Sequence, residues 1–173
     1  MHNKQEASSS LIWLWLSAAL FVLDQATKWI VVENFALYER KAITSFFNLV
    51  YVRNYGAAFS FLGDAGGWQR WLFTGIALVV SALLVWWLSK TPRQQTALGV
   101  GYALILSGAL GNVLDRMMFG YVVDFLDFYW GSYHWPAFNV ADSAICVGAG
   151  LLIVDALFLE KRRKDEDRAG QHG

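Results

Sequence analysis

Four apolar stretches, each close to the length that carries a helix through a bilayer, restrict this chain more than any other feature of its sequence. A helix needs roughly 20 mostly apolar residues to cross the hydrocarbon core. Residues 11–32, 71–89, 97–114 and 137–159 each approach that length. The second and third carry no charge; Asp24 and Lys28 interrupt the first, and Asp142 and Asp155 lie near the two ends of the fourth. The third also holds Gly99, Gly101, Ser107, Gly108 and Gly111, small residues that let helices approach closely.

Composition agrees with the blocks. Charged residues make up 16% of the 173, against about 25% in soluble domains, while hydrophobic residues reach 56%. Net formal charge is zero, so no overall field favours nucleic acid. The expectation is an all-α integral membrane protein with one membrane domain over residues 1–173 and a polar tail at 160–173. Lys4 ahead of residues 11–23 has the layout of a secretory signal peptide. The apolar character continues past Asp24 through Trp29, Ile30, Val31 and Val32, so a retained first helix is expected.

Four spans put both termini on one side. That side carries Lys4, Lys90, Arg93, Lys161, Arg162, Arg163, Lys164 and Arg168; the other carries Lys28, Arg40, Lys41, Arg53, Arg70 and Arg116. The richer set sits in short tails and a tight loop, where the positive-inside bias acts most strongly. Cytoplasmic termini are therefore expected. Between the first two spans, residues 43–62 include Phe46, Phe47, Leu49, Val50, Tyr51 and Val52, then the turn-like Asn54-Tyr55-Gly56. This is β-prone sequence, and a small sheet on the outer membrane surface is expected. Residues 126–135 are dense in aromatics, as at a membrane interface. An interfacial lid, helical or partly so and hinged at Gly131, is the expectation there.

Polar groups at membrane depth are expensive and mark candidate sites. They concentrate at the outer ends of spans three and four: Asn112, Asp115, Arg116, Asp124, Asn139 and Asp142. Two carboxylates that meet in a lipid-shielded, water-accessible pocket share a proton, because like charges about 3 Å apart cannot both ionise. One then serves as base toward water and the other as acid toward a carbonyl. Taken singly, each has a plainer reading: Asp115 and Arg116 as an interfacial charge pair, Asp142 as a first-turn carboxylate, Asp124 as loop. Asp24 and Lys28 are spaced i, i+4 and can pair, although Lys28 can also snorkel to the surface. Asp155 falls at the opposite end and is expected to be structural. Cys146, alone in an apolar run, is expected to be a small core residue. His134 lacks a second His or Cys at ligand spacing, so no metal site is expected. A proton- or ion-coupled carrier with buried carboxylates, or a non-enzymatic assembly factor, remains an alternative at this point; a carrier would favour internal repeats.

Five blocks occur in order: 24–28 (DQATK), 54–60 (NYGAAFS), 108–116 (GALGNVLDR), 120–125 (GYVVDF) and 138–143 (FNVADS). Through them the sequence resembles the lipoprotein signal peptidases, or signal peptidase II, across nearly its whole length. The resemblance implies an aspartyl protease of the bacterial inner membrane, with its site near the periplasmic face. It would cut diacylglyceryl-modified prolipoproteins on the amino side of the lipidated cysteine. It implies Asp124 and Asp142 as catalytic pair, Asn54, Asn112, Arg116 and Asn139 as substrate-pocket residues, and Asp24, Lys28, Gly56 and Asp115 as supporting residues. It implies no cofactor and no metal, and partners limited to substrate and membrane lipid; a monomer is expected.

Orientation is directly testable. Single cysteines placed at Lys161–Lys164 should resist a membrane-impermeant thiol reagent in intact cells, and one beside Arg40 should react. The reverse pattern would overturn the assigned topology.

Overall fold

The computed structural model describes residues 9–56, 66–160 and Arg163. Four long apolar helices form the body: α1 (Leu14–Asn34), α2 (Trp68–Lys90), α3 (Thr96–Phe119) and α4 (Val140–Val154). A 3₁₀ turn at Ser10–Trp13 leads into α1, and a π-helical turn at Asp155–Leu159 extends α4. As spans they cover Ser10–Asn34, Trp68–Lys90, Thr96–Phe119 and Val140–Leu159. The expected fold class therefore holds. The basic residues expected at Lys4, Lys161, Arg162, Lys164 and Arg168 lie outside the described residues.

The third helix is the axis of the bundle. Its apolar window is 56% buried, against 17–22% for the other three. Small residues make this possible. A Cβ on Gly148 of α4 would lie 2.7 Å from the carbonyl oxygen of Gly101, and one on Gly111 would lie 2.6 Å from Asp24 Oδ2. Large apolar side chains such as Trp15, Val22, Trp29, Val79 and Phe158 face outward, which in lipid needs no polar compensation. Cys146 belongs to this outward surface and not to the core as expected, because its α4 face points away from α3.

Two boundaries differ from the sequence reading in ways that shape the site. Span three was expected to end at 114, yet the helix continues through Asp115 and Arg116 to Phe119, and Gly120 closes it at φ +85. An αL C-cap of this kind suits glycine. Charge alone does not stop a helix, and the interior pairs both residues. The second difference concerns the aromatic segment. It is a strand, β3 (Val122–Trp130), that turns at Gly131 into β4 (Tyr133–His134), and not the expected helical lid. Its β-branched and aromatic residues favour extended backbone.

The sheet is antiparallel in the order β1-β2-β3-β4, with β1 (Arg40–Ala42) and β2 (Phe47–Asn54) completing it. The two regions between spans thus form one structure, paired Asn54 to Val122 and Phe47 to Phe128. Val31 at the end of α1 packs with Tyr51, Val123 and Phe125, so the sheet is clamped on one end of the bundle. A β-bulge then sets which side chains share a face. The N–H groups of Phe125 and Leu126 both donate to Phe138 O, at 3.0 and 2.8 Å. This breaks the two-residue alternation and leaves Asp124 and Asp127 on one face. Both line a cavity of about 260 Å³ with Arg40, His134 and Trp135.

Candidate active site

The site begins with a helix cap. Asn139 precedes α4 in extended conformation, and its Oδ1 accepts the Asp142 N–H at 2.8 Å. Asp142 Oδ2 in turn accepts the Asn139 N–H at 3.3 Å, which completes a capping box. The cap fixes Asp142 in the first turn. Asn139 is fully buried, and its side-chain NH2 donates to Asp124 Oδ1 at 2.8 Å. One asparagine thus bridges the aspartate of β3 and the aspartate of α4, although 18 residues separate them in sequence.

Each carboxylate has a second asparagine. Asn54 Nδ2 donates to Asp124 Oδ2 at 3.0 Å, and Asn112 Nδ2 donates to Asp142 Oδ1 at 2.8 Å. Asn54 Oδ1 also accepts the Gly56 N–H at 3.0 Å, which shapes the turn after β2. Arg116 holds that turn from α3, donating to Gly56 O at 2.8 Å. Asp124 is 2% exposed. Burial pushes its carboxyl up to about 7, and the nearby charge of Asp142 pushes the same way; the Asn54 and Asn139 amides oppose both. A carboxylic acid that keeps its proton near neutral pH beside a second carboxyl is equipped for acid–base work.

Beneath the pair lies a buried ion cluster. The Lys28 ammonium is 2.8 Å from Asp24 Oδ2 and 2.9 Å from Asp115 Oδ2. It also donates to Asn112 Oδ1 at 3.0 Å. Its three N–H bonds therefore have three acceptors. Gln25 Nε2 joins the two carboxylates, at 3.1 Å from Asp24 and 3.0 Å from Asp115. Lys28 is 3% exposed, so it does not snorkel, and Asp115 pairs with it in place of Arg116. The carboxylates reach backbone as well: Asp24 Oδ1 accepts the Ala141 N–H at 2.8 Å, and Asp115 Oδ2 accepts the Val123 N–H at 3.2 Å.

All ten residues singled out from sequence for this site converge at the sheet end of the bundle. Asp155 does not: it is buried beyond α4 and forms a bidentate pair with Arg163, at 2.8 and 2.7 Å. Sequence reasoning passed over Asp127 and Gln25. Asp127 is 3% exposed and takes hydrogen bonds from Asn48 at 2.8 Å and from the His134 ring, also at 2.8 Å. Its three-residue offset from Asp124 puts it on the opposite face of a regular strand, and only the bulge reverses that. Gln25 stood inside the 24–28 block and its amide could have been matched to the paired acids.

Residues 16–158 match the protein family described as signal peptidase (SPase) II. The lipoprotein signal peptidase of Alteromonas mediterranea is 55% identical over 163 residues, 94% of this chain and 89% of its own. That of Pseudoalteromonas atlantica is 58% identical over 158 residues, 91% of this chain and 96% of its own. Among solved structures, a bacterial membrane enzyme determined by the in meso method superposes with a TM-score of 0.76 at 31% identity, covering 95% of this chain and 96% of its own. A second such structure gives 0.73 at 30% identity, covering 91% and 98%.

The ion cluster yields a stability prediction. Replacing Lys28→Met leaves two buried carboxylates without their cation, which in buried pairs costs about 3–5 kcal/mol. Thermal or denaturant unfolding in a lipid-like detergent should register that loss. A change below about 1 kcal/mol, the range of exposed pairs, would mean that the cluster is solvated in practice.

Proposed function

Because this chain belongs to the signal peptidase II family and is a membrane protease of lipoprotein processing, we propose that Asp124 and Asp142 are its catalytic dyad. The observation that carries this reading is Asn139, whose side-chain NH2 donates to the Asp124 carboxyl and whose backbone N–H donates to the Asp142 carboxyl in a buried site. Family membership leaves the carrier alternative without support.

The substrate we infer is a prolipoprotein whose cysteine already bears diacylglycerol. The pair works with one shared proton. Its ionised member takes a proton from water, and the oxygen attacks the carbonyl carbon on the amino side of the lipidated cysteine. Its protonated member hydrogen-bonds the carbonyl oxygen as negative charge develops there. The tetrahedral intermediate then collapses, the C–N bond breaks, and the cysteine nitrogen leaves with a proton from the pair. The titration belongs to both residues together.

The surrounding residues fit this chemistry. Asn54, Asn112 and Asn139 fix the carboxyl rotamers through their amides and line the pocket. Arg116, 9% exposed and 5.6 Å from the Phe73 ring, is suited to hold a substrate carbonyl or a lipid phosphate. Such a site at the ends of α3 and α4 meets a lipid-anchored substrate without drawing its acyl chains from the bilayer. With the basic residues assigned as above, it faces the outer side of the bacterial inner membrane.

Purified protein in lipid, incubated with a diacylglyceryl-modified precursor, should release signal peptide of the mass set by that cleavage. Asp124→Asn and Asp142→Asn should each lose more than about a thousandfold in rate, as expected when one member of an interdependent pair is removed. Asp155→Asn, at the other end of the bundle, should stay near wild type. Near-normal cleavage by both dyad variants would refute the mechanism.

The pH dependence follows from the raised Asp124 carboxyl. The dyad loses its shared proton as pH passes about 7, so kcat/KM should fall on the basic side from there. Stability carries the same sign. A carboxyl raised by folding contributes fully below its ordinary value and loses that contribution as pH rises through the folded value. The Tm of Asp124→Asn relative to wild type should therefore be higher at about pH 8 than at about pH 5. A rate profile flat from about pH 6 to 9 would contradict the shared proton.

A further inference from the structure

We propose that the buried Asp24–Lys28–Asp115 triad is the positioning device of the dyad, each of its carboxylates holding the peptide N–H one residue ahead of a catalytic aspartate. The proposal rests on the dyad assignment above and gives the triad a role in the reaction beyond holding helices together.

Asp24 Oδ1 holds the Ala141 N–H at 2.8 Å, next to Asp142; Asp115 Oδ2 holds the Val123 N–H at 3.2 Å, next to Asp124. Ala141 lies in the first turn of α4, where an N–H has no partner within the helix and any acceptor would serve. Val123 lies in a strand, with no helix end to satisfy. Two unrelated backbone settings therefore receive the same contact at the same offset from the two aspartates. Lys28 ties the two carboxylates together at 2.8 and 2.9 Å. Its third bond, to Asn112 Oδ1 at 3.0 Å, turns that amide so that its NH2 faces Asp142 Oδ1 at 2.8 Å.

Bonds with an ionised partner are short and directional, and both carboxylates are 1% exposed, so water does not loosen them. The separation of the dyad is thereby referred to one ammonium. Misplacing a reacting group by about 1 Å can reduce a rate by roughly a hundredfold, so a frame of this kind acts on kcat.

Asp115 permits a clean test. Asp115→Asn keeps an oxygen for Val123 N–H and Lys28, and Gln25 Nε2, which loses Asp115 Oδ1, retains Asp24 Oδ2 and Gly111 O as acceptors. Asp115→Leu keeps the branched shape and removes the acceptor. With rates expressed per folded molecule, Asp115→Asn should retain kcat within about tenfold, while Asp115→Leu should lose roughly a hundredfold at nearly unchanged KM. If Asp115→Leu does not fold, Asp115→Ser, whose hydroxyl is too short to reach Val123 N–H, takes its place. Equal activity of the Asn and acceptor-less variants, whether both high or both lost, would overturn the positioning role. Asp124→Asn and Asp142→Asn, assayed alongside, separate the two ideas: their activity would refute the dyad and not the frame alone.

Discussion

A primary ammonium buried among helices in lipid has few ways to exist. It must find an acceptor for every proton, because neither hydrocarbon nor water will supply one. Lys28 meets that requirement with Asp24 one turn earlier on its own helix, and with Asp115 and Asn112 from α3. The two carboxylates carry surplus acceptor capacity, which reaches the starts of α4 and β3. Most of the architecture at this end of the bundle is a consequence of satisfying one cation. Glycine at 111 is part of the same solution, since a side chain there would collide with Asp24.

The four spans were legible because lipid imposes a length and an apolar composition on any helix that crosses it. The site residues were legible for the complementary reason: polar groups in that setting stand out. What the sequence concealed was partnership. Asp115 and Arg116 are adjacent, and adjacency suggested a pair, yet on a helix neighbours in sequence point about 100° apart. Asp115 turns inward to Lys28, and Arg116 turns toward Gly56.

The aromatic segment misled for a different reason. Its composition fits a membrane-surface helix and an edge of sheet equally well, and only the β2 segment, some seventy residues earlier, decides between them. Non-local pairing of that kind leaves little local trace. The bulge at Phe125 and Leu126 was equally hidden, and with it the shared face of Asp124 and Asp127. Cys146 shows the same limit in the bundle. A uniformly apolar helix does not announce which side meets protein and which meets lipid.

Asn139 caps the last span and binds the Asp124 carboxyl with a single side chain, so the first turn of α4 and the approach of Asp124 to Asp142 depend on the same residue. During synthesis the first three spans, with the Asp24, Lys28 and Asp115 cluster, can be in the membrane before α4 has emerged. At that stage Asp124 lacks its partner and its bridge. With the dyad proposed above, a nascent copy is catalytically silent until its final helix docks, and the membrane is spared a half-built hydrolase.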